Sequence, residues 1–142
     1  MLKGPRILYA DSDFTSSVSM RAWLTRHAPG CTTVCVESGR EALEQMENTN
    51  FDLYLLEYCL GETTAPELCR EIRARDPRAP VVVCSYLESD VDRRMAQDAG
   101  AAYIVKPQEL HRLSATIRQH LGVVPRVRNR LFRSRSRSAA II

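Results

Sequence analysis

The chain contains the stretch Leu53-Tyr54-Leu55-Leu56-Glu57, an uninterrupted apolar run that ends in a carboxylate. A second run of the same kind, Val81-Val82-Val83-Cys84-Ser85, ends in a hydroxyl. Short runs that are apolar at every position, instead of every second one, are typical of strands buried on both faces of a parallel sheet. These two stretches therefore predict the centre of an α/β fold.

Outward from this centre, strand-like and helix-like segments alternate five times. The predicted strands are Arg6–Ala10, Thr33–Glu37, Leu53–Tyr58, Pro80–Ser85 and Ala102–Val105. The predicted helices are Phe14–His27, Gly39–Glu47, Ala65–Arg75, Asp90–Ala99 and Gln108–Leu121. Right-handed crossovers place such helices on both faces of one sheet. For a chain of this size we expect a flavodoxin-like, doubly wound sheet of five parallel strands in the order 2-1-3-4-5.

Polar side chains stand at the carboxyl ends of four of these strands. They are Asp11-Ser12-Asp13 after the first strand, Glu57 at the third, Ser85 at the fourth and Lys106 after the fifth. In this fold ligands bind in the crevice at the strand ends where the winding reverses, so these side chains are expected to converge. Carboxylate oxygens suit Mg²⁺ and an ammonium suits a phosphoryl group. A lysine at this position is more informative than an arginine would be, because the chain has only two lysines against 18 arginines.

Together, these segments resemble the receiver domain of bacterial two-component response regulators, from about Arg6 to Leu121. The segments that carry the resemblance are Ile7-Leu8-Tyr9-Ala10-Asp11, Phe51-Asp52-Leu53-Tyr54-Leu55-Leu56-Glu57, Val81-Val82-Val83-Cys84-Ser85 and Ala99-Gly100-Ala101-Ala102-Tyr103-Ile104-Val105-Lys106-Pro107. The resemblance implies that Lys106 contacts a phosphoryl group and that Ser85 hydrogen-bonds it. It also implies that Asp11 is the first residue of an acidic metal-binding pair and that Tyr103 is an aromatic that turns inward on activation.

Four positions depart from the family's pattern. Glu57 stands where the family has its phosphoacceptor Asp, and Ser12 stands where the second acidic residue, the main Mg²⁺ ligand, is expected. Tyr86 follows Ser85 in place of a small residue, and Gly61 replaces a Pro. Glu carries its carboxylate one methylene further than Asp, and a misplacement of ~1 Å can cost ~10²-fold in rate. Tyr86 is expected to cover the mouth of the crevice.

These departures predict a degenerate phosphoacceptor pocket. Ser12 offers a neutral oxygen where Mg²⁺ prefers an anionic one, so we expect no cofactor and no bound metal, with Asp11 and Asp13 as the nearest metal candidates. We expect Glu57 to reach Lys106 and Ser85 and to imitate an aspartyl phosphate in part, since a phosphate brings more charge and more acceptor oxygens.

The function predicted from these residues is a non-enzymatic, stand-alone pseudo-receiver that acts as a phosphorylation-independent protein-interaction module. One alternative is a receiver that is phosphorylated on another carboxylate, Asp11 or Asp13. A second is a nucleic-acid-binding protein that uses its basic tail. A third is a flavin-binding protein with the hydroxyl-rich loop at Ser12 and Thr15-Ser16-Ser17, which is disfavoured because that loop lacks glycine.

Charge divides the chain into two predicted parts, a receiver-like domain over residues 1–124 and a flexible basic tail over residues 125–142. The tail has no acidic residue, and its six arginines are Arg126, Arg128, Arg130, Arg133, Arg135 and Arg137. Such a segment could bind an acidic partner or nucleic acid without sequence specificity. No helix-turn-helix pattern precedes it, which argues against sequence-specific DNA binding.

The resemblance also implies where a protein partner binds, on the face formed by the fourth helix, fifth strand and fifth helix, with a homodimer as one form. Its expected residues are Asp92, Arg93, Arg94, Met95, Gln97, Tyr103, His111, Arg112 and Arg118. The five cysteines form no C-x-x-C pair, and no apolar run approaches the ~18–20 residues of a membrane span. With no signal-peptide pattern at the N-terminus, we expect a cytoplasmic protein.

Overall fold

Five strands and five helices alternate along residues 4–122, the part of the chain that the computed structural model describes. The strands are β1 (Arg6–Ala10), β2 (Thr32–Val36), β3 (Leu53–Glu57), β4 (Val81–Ser85) and β5 (Ala102–Val105). The helices are α1 (Phe14–His27), α2 (Gly39–Asn48), α3 (Ala65–Arg75), α4 (Asp90–Asp98) and α5 (Leu110–Leu121). The predicted basic tail, residues 125–142, lies outside the described residues, so its six arginines are not placed.

All strand pairs are parallel, and the order across the sheet is β2-β1-β3-β4-β5. The predicted fold class and strand order are therefore confirmed. The register aligns Ala10 with Leu56 and Glu57 with Cys84, which brings the carboxyl ends of the three central strands to one edge of the sheet. That edge is where the sequence placed the candidate site.

The sheet separates two apolar layers, because successive side chains of a strand point to opposite faces. One layer, under α1 and α5, contains Ile7, Leu55 and Ile117. The other, under α2, α3 and α4, contains Leu56 and Tyr103. No helix within residues 4–122 has both the length and the apolar character needed to cross a membrane.

Several predicted boundaries shift by one or two residues, and two of these shifts have a visible cause. β4 begins at Val81 because Pro80 has no N–H, and only its carbonyl takes part, accepting from Tyr54 N. α5 begins at Leu110 because residues 106–109 form a turn in which Glu109 N donates to Val105 O. In the same turn the Glu109 carboxylate accepts from Val105 N.

The loop after β3 is held against the start of α2. The Glu62 carboxylate accepts hydrogen bonds from Gly39 N at 3.3 Å and Arg40 N at 3.0 Å. The hydrogen bond from Arg40 is the largest cause that lowers the pKa of Glu62. A Cβ on Gly39 would lie 2.6 Å from Thr63 Cγ2, so this close approach requires glycine. The loop that follows Glu57 is thereby attached to the rest of the fold.

Candidate functional site

Three charged side chains from three separate strands meet at the carboxyl edge of the sheet. Asp11 follows β1, Glu57 is the last residue of β3, and Lys106 follows β5. Asp11 is 2% exposed and Lys106 is 4% exposed. Ionised groups that are this deeply buried require partners, and each of them has one here.

The Lys106 ammonium is the centre of the site. Its Nζ donates to Glu57 Oε2 at 2.9 Å and to Ser16 Oγ at 3.1 Å. It also lies 4.4 Å from the centre of the Tyr86 ring, a distance at which an aromatic face attracts a cation. The Tyr86 ring, although largely exposed, thus lies against the Lys106 ammonium.

Glu57 forms an ion pair with Lys106 from a position that is mostly withdrawn from water, its side chain being 17% exposed. Burial raises the pKa of Glu57 above its ordinary value, while the charge and hydrogen bond of Lys106 lower it. Its second oxygen, Oε1, accepts from Tyr58 N at 3.1 Å.

The expected contact between Glu57 and Ser85 is not formed. Ser85 is buried at the end of β4, and its Oγ accepts from Leu87 N at 3.1 Å. Within residues 4–122 no hydrogen bond joins the two side chains, since Glu57 Oε1 turns back to its own chain. The prediction that Glu57 reaches Lys106 and Ser85 together was therefore wrong in its second half.

Asp11 is held by two donors from its own neighbourhood. Its Oδ2 accepts a hydrogen bond from the Tyr9 hydroxyl, and its Oδ1 accepts from Asp13 N at 2.9 Å. Burial is the largest cause that raises the pKa of Tyr9, followed by the hydrogen bond to Asp11. Tyr9 therefore stays protonated and remains a donor.

Ser12 and Asp13 lie outside the buried part of the site. Both are exposed, and Ser12 Oγ donates to Cys59 O at 3.4 Å. Asp13 is the N-cap of α1, where its Oδ2 accepts from Ser16 N at 2.8 Å. Asp13 is thus occupied in starting the helix.

These oxygens do not fit a magnesium ion. Mg²⁺ requires near-octahedral coordination at ~2.0–2.1 Å and is usually held through one or two carboxylates. Asp11 already accepts a hydrogen bond on each oxygen, and Glu57 is paired with an ammonium. In the described part of the chain, no three His, Cys, Asp or Glu side chains lie close enough together to hold a metal ion.

Tyr103 points into the domain and is 1% exposed. Its hydroxyl donates to Leu87 O at 2.8 Å, and the Arg93 guanidinium lies 5.1 Å from the centre of its ring. Because Ser85 accepts from the N–H of Leu87, the Leu87 peptide connects Tyr103 to the end of β4. The aromatic singled out in the sequence therefore contacts the β4–α4 loop directly.

We expect Tyr103→Phe to lower the free energy of unfolding by about 0.5–1.5 kcal/mol, because it removes the hydrogen bond from the Tyr103 hydroxyl to the Leu87 carbonyl. Urea unfolding followed by circular dichroism measures the effect. Tyr86→Phe is the matched control, since the Tyr86 side chain is exposed and keeps its ring. Equal stability of Tyr103→Phe and the parent would show that the Leu87 contact contributes nothing.

Sequence reasoning did not assign two residues of the site, Tyr9 and Ser16. Tyr9 was treated as part of an apolar strand, although its spacing of two residues from Asp11 puts both on one face of β1. Ser16 lies in the first turn of α1, and its contact with Lys106 joins residues 90 positions apart. No local pattern signals a contact of that range.

The face on which a partner is expected to bind includes exposed apolar residues. Leu87, Val91 and Met95, spaced four residues apart along the β4–α4 loop and α4, are exposed, Val91 to 71%. An ion pair of 3.4 Å between Arg93 and Glu109 connects α4 to the start of α5. Tyr103 does not belong to this surface, which corrects its place in the expected set, because its ring is packed inward.

Comparison with known proteins places this site in a family. Residues 7–118 match the family model for the response regulator receiver domain. The chain is 31% identical over 117 residues to the transcriptional regulatory protein ZraR of Escherichia coli strain K12. It is 32% identical over 114 residues to the response regulator MprA of Mycobacterium ulcerans. These matches cover 82% and 80% of this chain but 26% and 48% of those proteins, so the chain spans about a quarter to a half of their length.

Solved structures agree with the sequence matches. A CheY-like receiver domain protein of Methanospirillum hungatei has a TM-score of 0.73 at 26% identity, covering 84% of this chain and 94% of that one. A two-component response regulator of Clostridium difficile has a TM-score of 0.73 at 25% identity, covering 82% and 95%. The strand order, the charged residues at the strand ends and these matches agree, and the chain belongs to the family of response regulator receiver domains, which act in two-component signal transduction.

Proposed function

We propose that this receiver domain is a phosphorylation-independent protein-interaction module. The observation that carries the proposal is the 2.9 Å ion pair between Lys106 and Glu57. It occupies the place where the family resemblance expects a lysine to contact a phosphoryl group. The lysine is therefore already paired with an anion that belongs to the chain.

The imitation of a phosphoryl group by Glu57 is partial. A carboxylate supplies one charge and two oxygens, against about −1.5 to −2 charges and three acceptor oxygens for a phosphate. Two unit charges about 4 Å apart attract by ~4 kcal/mol at an effective dielectric of 20, and desolvation offsets much of that. The pair thus biases the conformation without locking it.

The oxygens around the pocket also argue against phosphorylation. Phosphoryl transfer to a carboxylate needs an in-line geometry and a cation that neutralises the developing charge. Asp11 is hydrogen-bonded on both oxygens and Ser12 is neutral and exposed. We therefore propose that the domain uses neither Mg²⁺ nor another cofactor, and that it performs no catalysis.

The position of Tyr103 supports a conformation like that of an activated receiver. The resemblance implies that this aromatic turns inward on activation, and here its ring is buried against Leu87 and Arg93. We propose that the Lys106–Glu57 pair and the inward Tyr103 together keep the domain in this form.

The surface proposed to bind the partner is the stripe of Leu87, Val91 and Met95 beside α5. Val91 and Met95 are four residues apart within α4 and therefore lie on one side of the helix, and Leu87 is exposed in the loop that precedes it. The first partner to test is a second copy of the chain, because acidic residues at the start of α4 and basic residues on α5 (His111, Arg112, Arg118) allow a symmetric contact.

Sedimentation velocity over a range of concentrations tests this surface. We expect Val91→Glu to abolish association, because it puts a charge in the centre of the stripe, whereas Val18→Glu, on exposed Val18 of α1, is the control and leaves it unchanged. Association that survives Val91→Glu would contradict the proposed face. A chain that stays monomeric at all concentrations would rule out the homodimer.

Family membership and five free cysteines favour a cytoplasmic location, where thiols stay reduced. Phosphorylation on Asp11 or Asp13 is disfavoured because Asp11 is buried under Tyr9 and Asp13 caps α1. The nucleic-acid alternative depends on the tail and gains no support from the described residues.

A further inference from the structure

The hydrogen bond from Tyr9 to Asp11 has a consequence for cation binding. Tyr9 lies in the middle of β1, between Cys35 of β2 and Leu55 of β3, and is buried under α1 and α5. A side chain packed on both sides in this way cannot swing away from Asp11 without opening the core. Its hydroxyl is therefore a fixed donor directed at Asp11 Oδ2.

A fixed donor and a divalent cation compete for the same oxygen. The hydroxyl proton of Tyr9 uses one of the two lone pairs of Asp11 Oδ2 and draws negative charge from that oxygen, which leaves a weaker ligand for a metal ion. The other oxygen of Asp11 accepts from Asp13 N, which is itself fixed because Asp13 caps α1. Glu57, the next nearest anion from β3, is neutralised by Lys106.

We propose that Tyr9 is a positioning residue that weakens the binding of a divalent cation by Asp11, so that the pocket's metal independence depends on Tyr9 and Ser12 together. Substitution of Ser12 alone then restores only a weak metal site, because the added carboxylate would find Asp11 still hydrogen-bonded to the Tyr9 hydroxyl. This inference deepens the proposed phosphorylation-independent role and rests on it.

Binding of Mn²⁺ tests the proposal, with free Mn²⁺ measured by electron paramagnetic resonance. The variants are Tyr9→Phe, Ser12→Asp and the double variant Tyr9→Phe/Ser12→Asp. Phe keeps the ring and removes only the donor, so the packing of β1 is preserved. We expect the parent and Tyr9→Phe not to bind, and the double variant to bind about 10-fold more tightly than Ser12→Asp, the factor that corresponds to one hydrogen bond to a charged group.

Asp11→Asn, added to the double variant, is the control that locates the ion, and it should abolish binding. Ser12→Asp binding as tightly as the double variant would overturn the proposal, as would a double variant that binds nothing or a parent that binds Mn²⁺ through Asp11. If the double variant fails to fold by circular dichroism, Tyr9→Met/Ser12→Asp replaces it, since Met fills irregular apolar space.

The inference about Tyr9 and the proposed function can be refuted independently of each other. Uptake of a phosphoryl group by the parent would refute the phosphorylation-independent role. The ratio of Mn²⁺ affinities between Ser12→Asp and the double variant would still report on Tyr9, because it is measured without any phosphodonor.

Discussion

Lys106→Met is expected to lower the free energy of unfolding by about 2–3 kcal/mol at pH 7, because it leaves the Glu57 carboxylate buried without its partner. Removing one member of a fully buried ion pair costs about 3–5 kcal/mol, and the remaining exposure of Glu57 reduces that figure here. Met keeps most of the aliphatic stem of the lysine, so the loss measures the charge more than the packing.

The loss of stability caused by Lys106→Met should depend on pH. Burial raises the pKa of Glu57 above its ordinary value of 4.5, so the folded state binds the proton more tightly than the unfolded state does. The stability that Glu57 supports is therefore full below the unfolded pKa and is lost as the pH rises through the folded pKa. In Lys106→Met the charge that lowers the pKa of Glu57 is absent, so Glu57 stays protonated in the folded state up to a higher pH. The destabilisation caused by the substitution should therefore be larger at pH 7 than at pH 5.

Urea unfolding at the two pH values measures this difference. In Lys106→Met/Glu57→Gln the charged pair is absent, and we expect most of the stability to return with little pH dependence from this site. Arg112→Met, which breaks an exposed ion pair with Glu109, is the control and should have a small effect at both pH values. A cost of Lys106→Met that is equal at pH 5 and pH 7 would show that Glu57 in this variant does not change its protonation between these pH values, which would contradict the expected pH dependence.

The second prediction concerns phosphorylation. After incubation with Mg²⁺ and a small-molecule phosphodonor, the intact mass of the parent should not change, because Ser12 supplies no carboxylate and Asp11 is occupied by Tyr9. Glu57→Asp alone should also remain unmodified, since it moves the acceptor back by one methylene but adds no metal ligand.

The variant expected to gain activity is Glu57→Asp/Ser12→Asp. It restores the acceptor and the missing carboxylate, and addition of Tyr9→Phe should increase the modified fraction further. Mass spectrometry of intact protein with and without Mg²⁺ gives the result directly, and Lys106→Met in the restored variant is the matched control that should lose labelling. Robust labelling of the parent or of Glu57→Asp alone would contradict this account and would require the modified residue to be mapped.

The fold could be predicted from short stretches of the sequence because the features that determine it lie within such stretches. Continuous apolar runs at Leu53–Leu56 and Val81–Cys84 predict buried parallel strands. The error at the start of α5 came from a tight turn, in which the Glu109 carboxylate accepts a hydrogen bond from Val105 N.

The residues at the strand ends could be identified from the sequence alone, but of their contacts only the one between Glu57 and Lys106 was expected. A parallel sheet brings Asp11, Glu57 and Lys106 to one edge whatever their rotamers. Packing and desolvation decide which donor each oxygen binds. The pairs involved are far apart in the sequence: Glu57 and Lys106 are 49 positions apart, and Ser16 and Lys106 are 90 positions apart.

The sequence by itself therefore determined the α/β architecture, the strand order and the set of charges at the site, since periodicity and segment order are properties of the linear chain. Only the tertiary structure decided that Tyr9 engages Asp11, that Ser16 contacts Lys106, that Glu57 turns away from Ser85, and that Tyr103 is packed inward. The physical reason is that a buried polar group must find a partner within hydrogen-bond reach, and the folded core sets which partners are within that reach.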